Sequence, residues 1–466
     1  MLADTLNPIE KRTAISLSLV FALRMLGLFM IMPVFAIYGQ HLSGYSPLWV
    51  GFAIGAYGLT QALLQIPAGM LSDKFGRRPI IFIGLLVFAL GSLVAAYSES
   101  IYGVTAGRAL QGAGAIASAI LALAADVTRE EQRSKAMGII GVSIGLAFAV
   151  AMVAGPVLAP LIGLQGLFMI TAAGALCGIA IVHFMVPQVL SKAPRGETVA
   201  IPALLSKLAK DPQLQRLDFG IFILHMALTA MFVVLPLQLQ KMHLSADLHW
   251  HIYLPALLFS FVLIIPMLII AARKSMNKQF YLFAIFLMAC SLAVMALNTS
   301  SVPLMFICIL LYFTAFNFLE ASLPAFISML SPAGAKGSAM GIYSTYQFLG
   351  AFCGGIVGGL SYKLLGSDGL FLCLAGLMLL WLFVSWGMHN PSKIRTHTYT
   401  VDIRDENHAA LLSERLLAID GALEVVIIIE EQTVYIKVNN QVFAQAKAQQ
   451  ILTKTYNIEK AEQKHV

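Results

Sequence analysis

The sequence predicts an all-α membrane protein with twelve transmembrane helices in two six-helix pseudo-repeats, followed by a small C-terminal α+β domain. Three observations predict this class. Hydrophobic residues make up 59% of the 466 residues and charged residues only 11%, and the mean hydropathy is +0.82. The apolar residues form long runs, and after Pro391 the composition changes abruptly to that of a soluble module. A soluble globular protein is therefore excluded.

Twelve apolar runs are long enough to cross a bilayer, which takes about 20 residues of helix. We number them spans 1 to 12. The first half supplies six runs, at residues 14–38, 47–71, 79–97, 101–124, 135–159 and 164–186. The second half supplies six more, at residues 216–240, 250–272, 279–298, 302–328, 336–362 and 369–388. Because the number is even, both termini are expected on the same side.

Basic residues predict which side that is. Before residue 389, the loops on one side contain only Lys241 and Lys363, whereas the other loop cations lie on the opposite side. The positive-inside rule places the richer side, and with it both termini, in the cytoplasm. The net charge of +7 therefore reflects which loops face the cytoplasm, and it does not indicate a nucleic-acid partner.

An internal repeat predicts the domain organisation. Lys135–Ile139 at the start of span 5 reappears as Ser338–Ile342 at the start of span 11. Repeated halves predict a substrate cavity near mid-membrane, which we expect spans 1, 4, 7 and 10 to line. The predicted domains are an N-terminal bundle at 1–186, a cytoplasmic linker at 187–215, a C-terminal bundle at 216–388 and a cytoplasmic domain at 393–466.

The tail is expected to have a ferredoxin-like βαββα fold. The predicted strands are Thr398–Ile403, Leu423–Ile429 and Thr433–Val438, and the predicted helices are Asn407–Ala418 and Gln441–Lys454, with a short closing strand near Tyr456. The five cysteines of the chain show no metal-like or paired spacing, so neither a metal site nor a disulfide is expected. The tail is either a stabilising appendage or a regulatory ligand or partner site.

The short charged turn from Gly69 to Pro79 joins spans 2 and 3, which must be adjacent and antiparallel. The positive-inside rule alone would explain the basic residues of this turn, since cytoplasmic loops are rich in Lys and Arg. It does not explain why Gly69, Gly76 and Asp73 occur at these spacings. Asp126 at the end of span 4 lies on the same level, which predicts an ionic network among Asp73, Arg77 and Asp126.

This turn also predicts a conformational latch. The start of span 11 is the positive end of a helix dipole with small residues, and it is able to receive Asp73 from the other half when the cavity is open to the outside. The alternative is a solvated ion pair, which contributes about 0 to 1 kcal/mol. The residues assigned to the latch are Gly69, Asp73, Gly76, Arg77, Arg78, Asp126, Gly337 and Gly341.

Three ionisable residues inside apolar runs are candidates for chemistry. Burying an uncompensated cation in the membrane costs roughly 2.5 kcal/mol or more, so Arg24 in span 1 should face the bundle interior. Its side chain is expected either to lie in a cavity, where it acts on substrate or on a nearby acid, or to form a structural ion pair. Glu320 in span 10 is our first candidate for proton coupling, because desolvation favours the protonated form of a carboxyl group. The alternative is a structural residue that shares hydrogen bonds with Asn317. His225 in span 7 is a further titratable candidate, but a single histidine is more often a satisfied interior residue, which is the interpretation that we favour.

Three motifs resemble those of a known family. The pattern G-x-L-x-D-x-x-G-R-R from Gly69 to Arg78 resembles the signature between helices 2 and 3 of the major facilitator superfamily of secondary transporters. Arg108–Ala115 resembles that family's R-x-x-Q-G-x-G-A motif, whose arginine is associated with proton transfer. Span 5 resembles the antiporter motif through Gly141, Gly145, Gly155 and Pro156, although the two glycines that end that motif are replaced.

The resemblance implies a drug:proton antiporter of a bacterial inner membrane that exports small, amphiphilic compounds. It implies no enzyme activity and no cofactor, and the expected partners are a small-molecule substrate, protons and the lipid bilayer. Arg108 joins Arg24 and Glu320 as a candidate for proton coupling. We expect a monomer. Two alternatives stay open, namely a sensor or regulator that acts through the tail, and an uptake carrier that is uncoupled or couples to protons by symport.

Overall fold

The protein is described by a computed structural model that covers residues 5–187, 202–298, 300–332, 335–388, 394–401, 403, 405–429, 432–439 and 442–452. Ten helical segments in these ranges are long and apolar enough to cross a membrane. Two of them contain a glycine with non-helical backbone, Gly163 (φ 63°) and Gly366 (φ 72°), and each therefore comprises two spans. The described residues thus provide the twelve predicted spans.

The spans agree with the predicted runs and extend beyond them at several ends. In the first half, the helices are Pro8–Met30 and Met32–Tyr38 (span 1), Pro47–Phe75 (span 2), Arg77–Ala96 (span 3), Ile101–Ala113 and Ala117–Val127 (span 4), and Glu130–Met185 (spans 5 and 6). A short helix, Pro202–Leu208, follows in the linker. In the second half they are Pro212–Lys241 (span 7), Trp250–Arg273 (span 8), Asn277–Leu297 (span 9), Val302–Leu330 (span 10) and Lys336–Trp386 (spans 11 and 12).

Span 1 begins six residues before its predicted start because of a capping box. The Asn7 side chain accepts a hydrogen bond from the Glu10 amide, and the Glu10 carboxylate accepts one from the Asn7 amide, each 2.8 Å long. Pro8 occupies the first helical position, where its missing N–H costs nothing. These local bonds satisfy two of the exposed amides at the helix start.

The tail is a three-stranded antiparallel sheet with helices. Its strands are β1 (Ile394–Thr400), β2 (Ala422–Ile428) and β3 (Thr433–Asn439), in the order β1-β3-β2. A helix, Glu406–Leu417, lies between β1 and β2, and residues 445–452 are helical. The predicted small α+β domain is confirmed.

One predicted strand was misplaced, and another lies beyond the described residues. β1 occupies 394–400 instead of 398–403 because it pairs with the whole of β3, from Ile394 opposite Asn439 to Thr400 opposite Thr433. The register of β3 therefore sets the ends of β1. The closing strand predicted near Tyr456 falls outside the described residues.

The tail packs against the end of span 10. The Lys437 ammonium of β3 donates hydrogen bonds to the main-chain oxygens of Leu330, at 3.1 Å, and Ser331, at 2.9 Å. These oxygens belong to the last turn of a helix, whose carbonyl groups have no partner within the helix. We call the membrane face at this end of span 10 the tail side and the other face the opposite side.

The two halves touch closely on the opposite side. Gly51 of span 2 and Gly355 of span 11 face each other, and a Cβ on either would overlap the carbonyl oxygen of the other. Small residues permit this close backbone approach. On the tail side, a Cβ at Gly138 or Gly141 of span 5 would meet no described atom within 4 Å. The space between the halves is therefore closed on the opposite side and open on the tail side.

Candidate functional site

A cavity of about 510 Å³ lies between the halves. Its lining is mostly apolar or glycine and comes from spans 1, 5, 7, 8 and 10, with three polar side chains, His225, Asn317 and Glu320. The prediction that span 4 lines the cavity was wrong for this conformation. Span 4 packs instead between spans 2 and 3, where a Cβ at Gly112 would overlap Tyr57 and one at Gly107 would crowd Gly91.

Glu320 and His225 form an ionisable pair in the cavity wall. His225 Nε2 lies 3.0 Å from Glu320 Oε2, and the exposed fractions of the two side chains are 14% for His225 and 37% for Glu320. Gln347 of span 11 completes a triangle, because its Nε2 lies 2.8 Å from His225 Nε2 and 3.2 Å from Glu320 Oε1. Three spans thus meet at one carboxyl group.

Two buried polar groups lie near this triangle. The Tyr343 hydroxyl of span 11 interacts electrostatically with Glu320 and with Asp218. Asp218, two helical turns before His225 in span 7, is 3% exposed. Asn317 donates a 2.8 Å hydrogen bond to Ser260 Oγ of span 8. Asn317 therefore links span 10 to span 8, instead of sharing the hydrogen bonds of Glu320 as the sequence suggested.

Arg24 is buried inside the N-terminal half, as its position in span 1 predicted. It is 1% exposed and donates to Gln61 Oε1 at 2.7 Å and to the Gly114 oxygen at 3.2 Å. Its Nε and Nη1 have no hydrogen-bond partner among the described residues. The cation is held by polar neutral groups and by the faces of Tyr57 and Phe88, each 5.6 Å away.

Arg108 occupies a similar environment in span 4. It is 2% exposed, donates to Gln111 Oε1 at 2.9 Å, and lies 5.4 Å from the centre of the Tyr57 ring. Tyr57 therefore stands between two buried guanidinium groups. Neither arginine belongs to the cavity lining, so any role in proton coupling requires a path from the cavity to Tyr57.

The turn between spans 2 and 3 is organised around Arg77. Its guanidinium contacts Asp73 Oδ1 at 2.6 Å and Asp126 Oδ2 at 3.1 Å, and it donates to Ser72 Oγ at 2.8 Å. The Arg77 side chain is 5% exposed, so this is a buried network and not a solvated pair. The structure thus brings together the three residues that the sequence linked.

The other residues of the predicted latch occupy distinct positions. Gly76 has φ 97°, a backbone conformation that favours glycine, and a Cβ at Gly69 would approach Ser118 Oγ of span 4 to 3.2 Å. Arg78 donates to the main-chain oxygens of Val182 and His183 at the end of span 6. Gly337 and Gly341 lie in the first two turns of span 11.

The span 5 residues that resemble the antiporter motif divide into two groups. Gly141 and Gly145 line the cavity. Gly155 contacts span 1 where that span is interrupted after Met30, because a Cβ there would overlap the Met30 carbonyl oxygen. Pro156 follows inside the same helix. The motif therefore shapes the cavity wall at one end and permits a close helix crossing at the other.

Sequence reasoning missed several polar partners. Glu10 is 1% exposed and pairs with Arg129 at 2.8 Å, across 119 residues of chain. The buried Asp218 was not recognised because it stands near the predicted start of span 7. His225 was underrated because only the structure reveals that it faces Glu320. Within the described residues, no group of His, Cys, Asp or Glu could hold a metal ion.

Comparison with known proteins gives consistent matches. A family model described as Major Facilitator Superfamily matches residues 17–352 and 217–419. The inner membrane transport protein YajR of Escherichia coli K12 is 43% identical over 94% of this chain and 96% of its own length. The multidrug resistance protein MdtH of Aeromonas salmonicida is 25% identical over 80% of this chain and 94% of its own length.

A solved structure has the same fold. A bacterial homologue of the human lysosomal transporter Spinster, crystallised in an inward-facing and unoccupied conformation, superposes with a TM-score of 0.65. It covers 82% of this chain and 98% of its own, with 12% sequence identity. The match supports the membrane fold. Together these matches indicate a transport protein with a small-molecule substrate and not an enzyme.

Proposed function

The chain belongs to the Major Facilitator Superfamily, and from that membership we propose that it is a proton-coupled antiporter that exports small amphiphilic compounds by alternating access. The observation that carries the proposal is the His225–Glu320 pair, an imidazole and a carboxyl group 3.0 Å apart in the wall of a mostly apolar cavity between the halves. The cavity volume of about 510 Å³ is within the usual range for small-molecule sites.

The direction of transport follows from the proposed orientation. The excess of Lys and Arg assigns the tail side to the cytoplasm, so the conformation described above faces inward. The bundles at 1–186 and 216–388 then rock about the cavity, joined by the linker at 187–215. Glu320 releases its proton to the cytoplasm, and the empty cavity takes up substrate from that side.

The energetics suffice for export. A membrane potential of 100 mV contributes about 2.3 kcal/mol for each returning proton, which drives a neutral substrate outward roughly fiftyfold uphill. A monovalent cation that exchanges for one proton moves no net charge, so the pH gradient alone drives its export. Arg24 and Arg108 place two fixed positive charges inside the N-terminal half. These charges repel protons, so they disfavour the binding of a second proton in that half. The Arg77 network acts as the latch that holds the tail side closed in the outward-open state, when Gly337 and Gly341 approach Asp73.

Drug-resistance relatives and the antiporter-like motif support export. MdtH is named a multidrug resistance protein, and Gly141 and Gly145 of the antiporter-like motif line the cavity. The apolar lining suits a lipophilic substrate, and Glu320 suits one with a basic group, because a carboxylate attracts a cation inside a low-dielectric wall.

The experiment uses proteoliposomes with an imposed pH gradient and ethidium, a fluorescent amphiphilic cation, as the probe. Ethidium transport with opposite proton flow supports the proposal, and Glu320→Gln should lose the proton flow. Coupling that is undiminished in Glu320→Gln removes that residue from the role. Proton flow in the same direction as the dye would identify a symporter, and dye flux independent of the gradient an uncoupled carrier.

The tail supports a second, regulatory function. Lys437 binds the last carbonyl groups of span 10, the helix that carries Glu320. A ligand or partner that moves the tail would act directly on that helix. Deletion of residues 393–466 separates the possibilities, because unchanged transport supports an independent carrier and altered transport supports a regulatory tail.

A further inference from the structure

We propose that Asp218 is a second proton-binding site, which lies outside the cavity and exchanges its proton with water on the tail side. This acid is distinct from Glu320, and its proton does not depend on the proposed antiport. Asp218 lies in the second turn of span 7, which begins at Pro212. Its side chain does not belong to the lining of the cavity between the halves.

Asp218 is buried without a compensating partner. It is 3% exposed, whereas the Glu320 side chain is 37% exposed. Within the described residues, Asp218 forms no salt bridge and its Oδ1 has no hydrogen-bond partner. Burying a carboxylate without a cation or hydrogen bonds is far more costly than burying the neutral acid. The carboxyl group therefore keeps its proton while this packing surrounds it.

The charged groups around Asp218 reinforce this preference. Asp211, the N-cap residue of span 7, interacts electrostatically with Asp218, and a second negative charge opposes ionisation. Arg216 on the same helix donates instead to the main-chain oxygen of Gly387, just after span 12. Lys437 of the tail acts on Asp211. In the described part of the chain, both of these cations are thus engaged with other groups.

Aromatic side chains from three other spans lie beside this part of span 7. Tyr343 of span 11 interacts with Asp218, and its buried hydroxyl likewise has no hydrogen-bond partner among the described residues. Tyr343 also interacts with Tyr281 of span 9, whose hydroxyl accepts a 3.1 Å hydrogen bond from Trp381 Nε1 of span 12. A Cβ at Gly220 would approach that nitrogen to 2.8 Å, so the packing next to Asp218 is tight.

The ligand that fits this site is a proton. A metal ion needs several oxygen ligands, and no group of His, Cys, Asp or Glu within the described ranges could hold one. A proton needs a single oxygen. Asp218 lies six residues, or about 9 Å along the helix, from Pro212 at the tail-side end of span 7, so the tail side supplies the nearest water.

The choice of an acid at this position indicates a role beyond packing. Acids within membrane spans are costly, and an apolar or amide side chain of similar size would fill the same volume without that cost. Alkaline conditions on the tail side should remove the proton and place a negative charge beside Tyr343. Because that charge is buried without a cation, it should disturb the packing of spans 7 and 11.

The first test is infrared spectroscopy of the full chain in lipid, without substrate. The carboxylic-acid C=O band that disappears in Asp218→Asn should be present at neutral pH, vanish as pH rises, and shift when D₂O replaces H₂O. Glu320→Gln should keep this band, and Asp420→Asn, at an exposed position of the tail, is the control. Absence of the band at neutral pH overturns the proposal. So does a band that neither titrates nor shifts, or one that Na⁺ removes at constant pH.

The second test removes the neighbouring charge. Asp211→Asn keeps an N-cap side chain that is able to accept from the Gln213 and Leu214 amides. It deletes a negative charge two helical turns, or about 10.5 Å, before Asp218, so the midpoint of the Asp218 band should fall by roughly 0.3 to 1 pH unit. Asp405→Asn, the same change at the N-cap of a tail helix, is the control. An unchanged midpoint in Asp211→Asn, or an equal fall in Asp405→Asn, overturns the electrostatic account. Neither test requires substrate flux, so failure here is distinguishable from failure of the antiport proposal.

Discussion

The Lys437 ammonium of the tail sheet donates a hydrogen bond to the main-chain oxygen of Ser331, 2.9 Å away at the end of span 10. This contact ties the soluble domain to the helix that carries the cavity carboxylate. Charge-assisted bonds of this kind contribute about 1.5 to 3 kcal/mol.

The tail contact can be tested by substitution. Lys437→Met should free the end of span 10 and raise amide hydrogen exchange at residues 326–332 about tenfold or more. Lys447→Met, at an exposed position of the tail, is the matched control. Equal exchange in both variants would contradict a docking role for Lys437.

The tail contact should also depend on pH. Burial lowers the pKa of Lys437, against the opposing effects of Glu424 and Asp211. A base with a lower pKa in the docked state binds fewer protons there, so docking should strengthen as pH rises towards the usual lysine value of about 10.4. The distance between fluorophores on the tail and on span 10 would report this. A weakening of docking over that range would contradict the prediction.

Arg77 should be the most costly residue of the short turn to remove. Arg77→Ala leaves the Asp126 side chain, 2% exposed, without this cation, and loss of one partner of a buried pair costs about 3 to 5 kcal/mol. The melting temperature in micelles should therefore fall well below that of Lys74→Ala, which changes an exposed cation of the same turn. Equal melting temperatures of the two variants would show that the Arg77 network contributes no more to stability than a surface ion pair does.

Arg24 should show an opposite effect on stability. Its guanidinium is buried with two unpartnered nitrogens among the described residues, so replacement by an apolar side chain should leave stability unchanged or raise it by about 1 to 4 kcal/mol. Arg24→Met should nevertheless reduce proton-linked transport. Thermal unfolding and flux are measured on the same preparation. A large loss of stability in Arg24→Met would instead show that the hydrogen bonds of Arg24 to Gln61 and Gly114 hold the N-terminal half together.

The contact between spans 2 and 11 should set the balance between conformations. Gly355→Ala places a methyl group against the Gly51 carbonyl oxygen, so the halves should separate on the opposite side. The distance between spin labels at Tyr45 and Lys363, which lie at the opposite-side ends of spans 2 and 11, should therefore increase. Gly376→Ala is the control, since a Cβ there meets no described atom within 4 Å. An unchanged distance in Gly355→Ala would show that the contact adapts without opening.

The sequence predicted what depends on composition and local pattern. Long apolar runs identified the spans, and an acid or a cation inside such a run identified Glu320 and Arg24, because burying charge is costly wherever the neighbours lie. The spacing in one short turn likewise linked Asp73 with Arg77 four residues later.

The sequence could not predict contacts that depend on how helices rotate against each other. His225 and Gln347 are 122 residues apart and meet only because spans 7, 10 and 11 present one face each to a common point. Span 8 lines the cavity for the same reason. The early start of span 1 was missed because side-chain capping, not hydrophobicity, decides it.

The single-residue turns at Gly163 and Gly366 limit how the bundles are able to move. Each joins two long helices with no loop between them, so spans 5 and 6, like spans 11 and 12, form stiff hairpins with almost no slack. When span 5 tilts during the transport cycle, span 6 must therefore tilt with it, and span 12 must likewise follow span 11. The cost of each turnover then includes reshaping the surrounding bilayer, and transport should respond to membrane thickness.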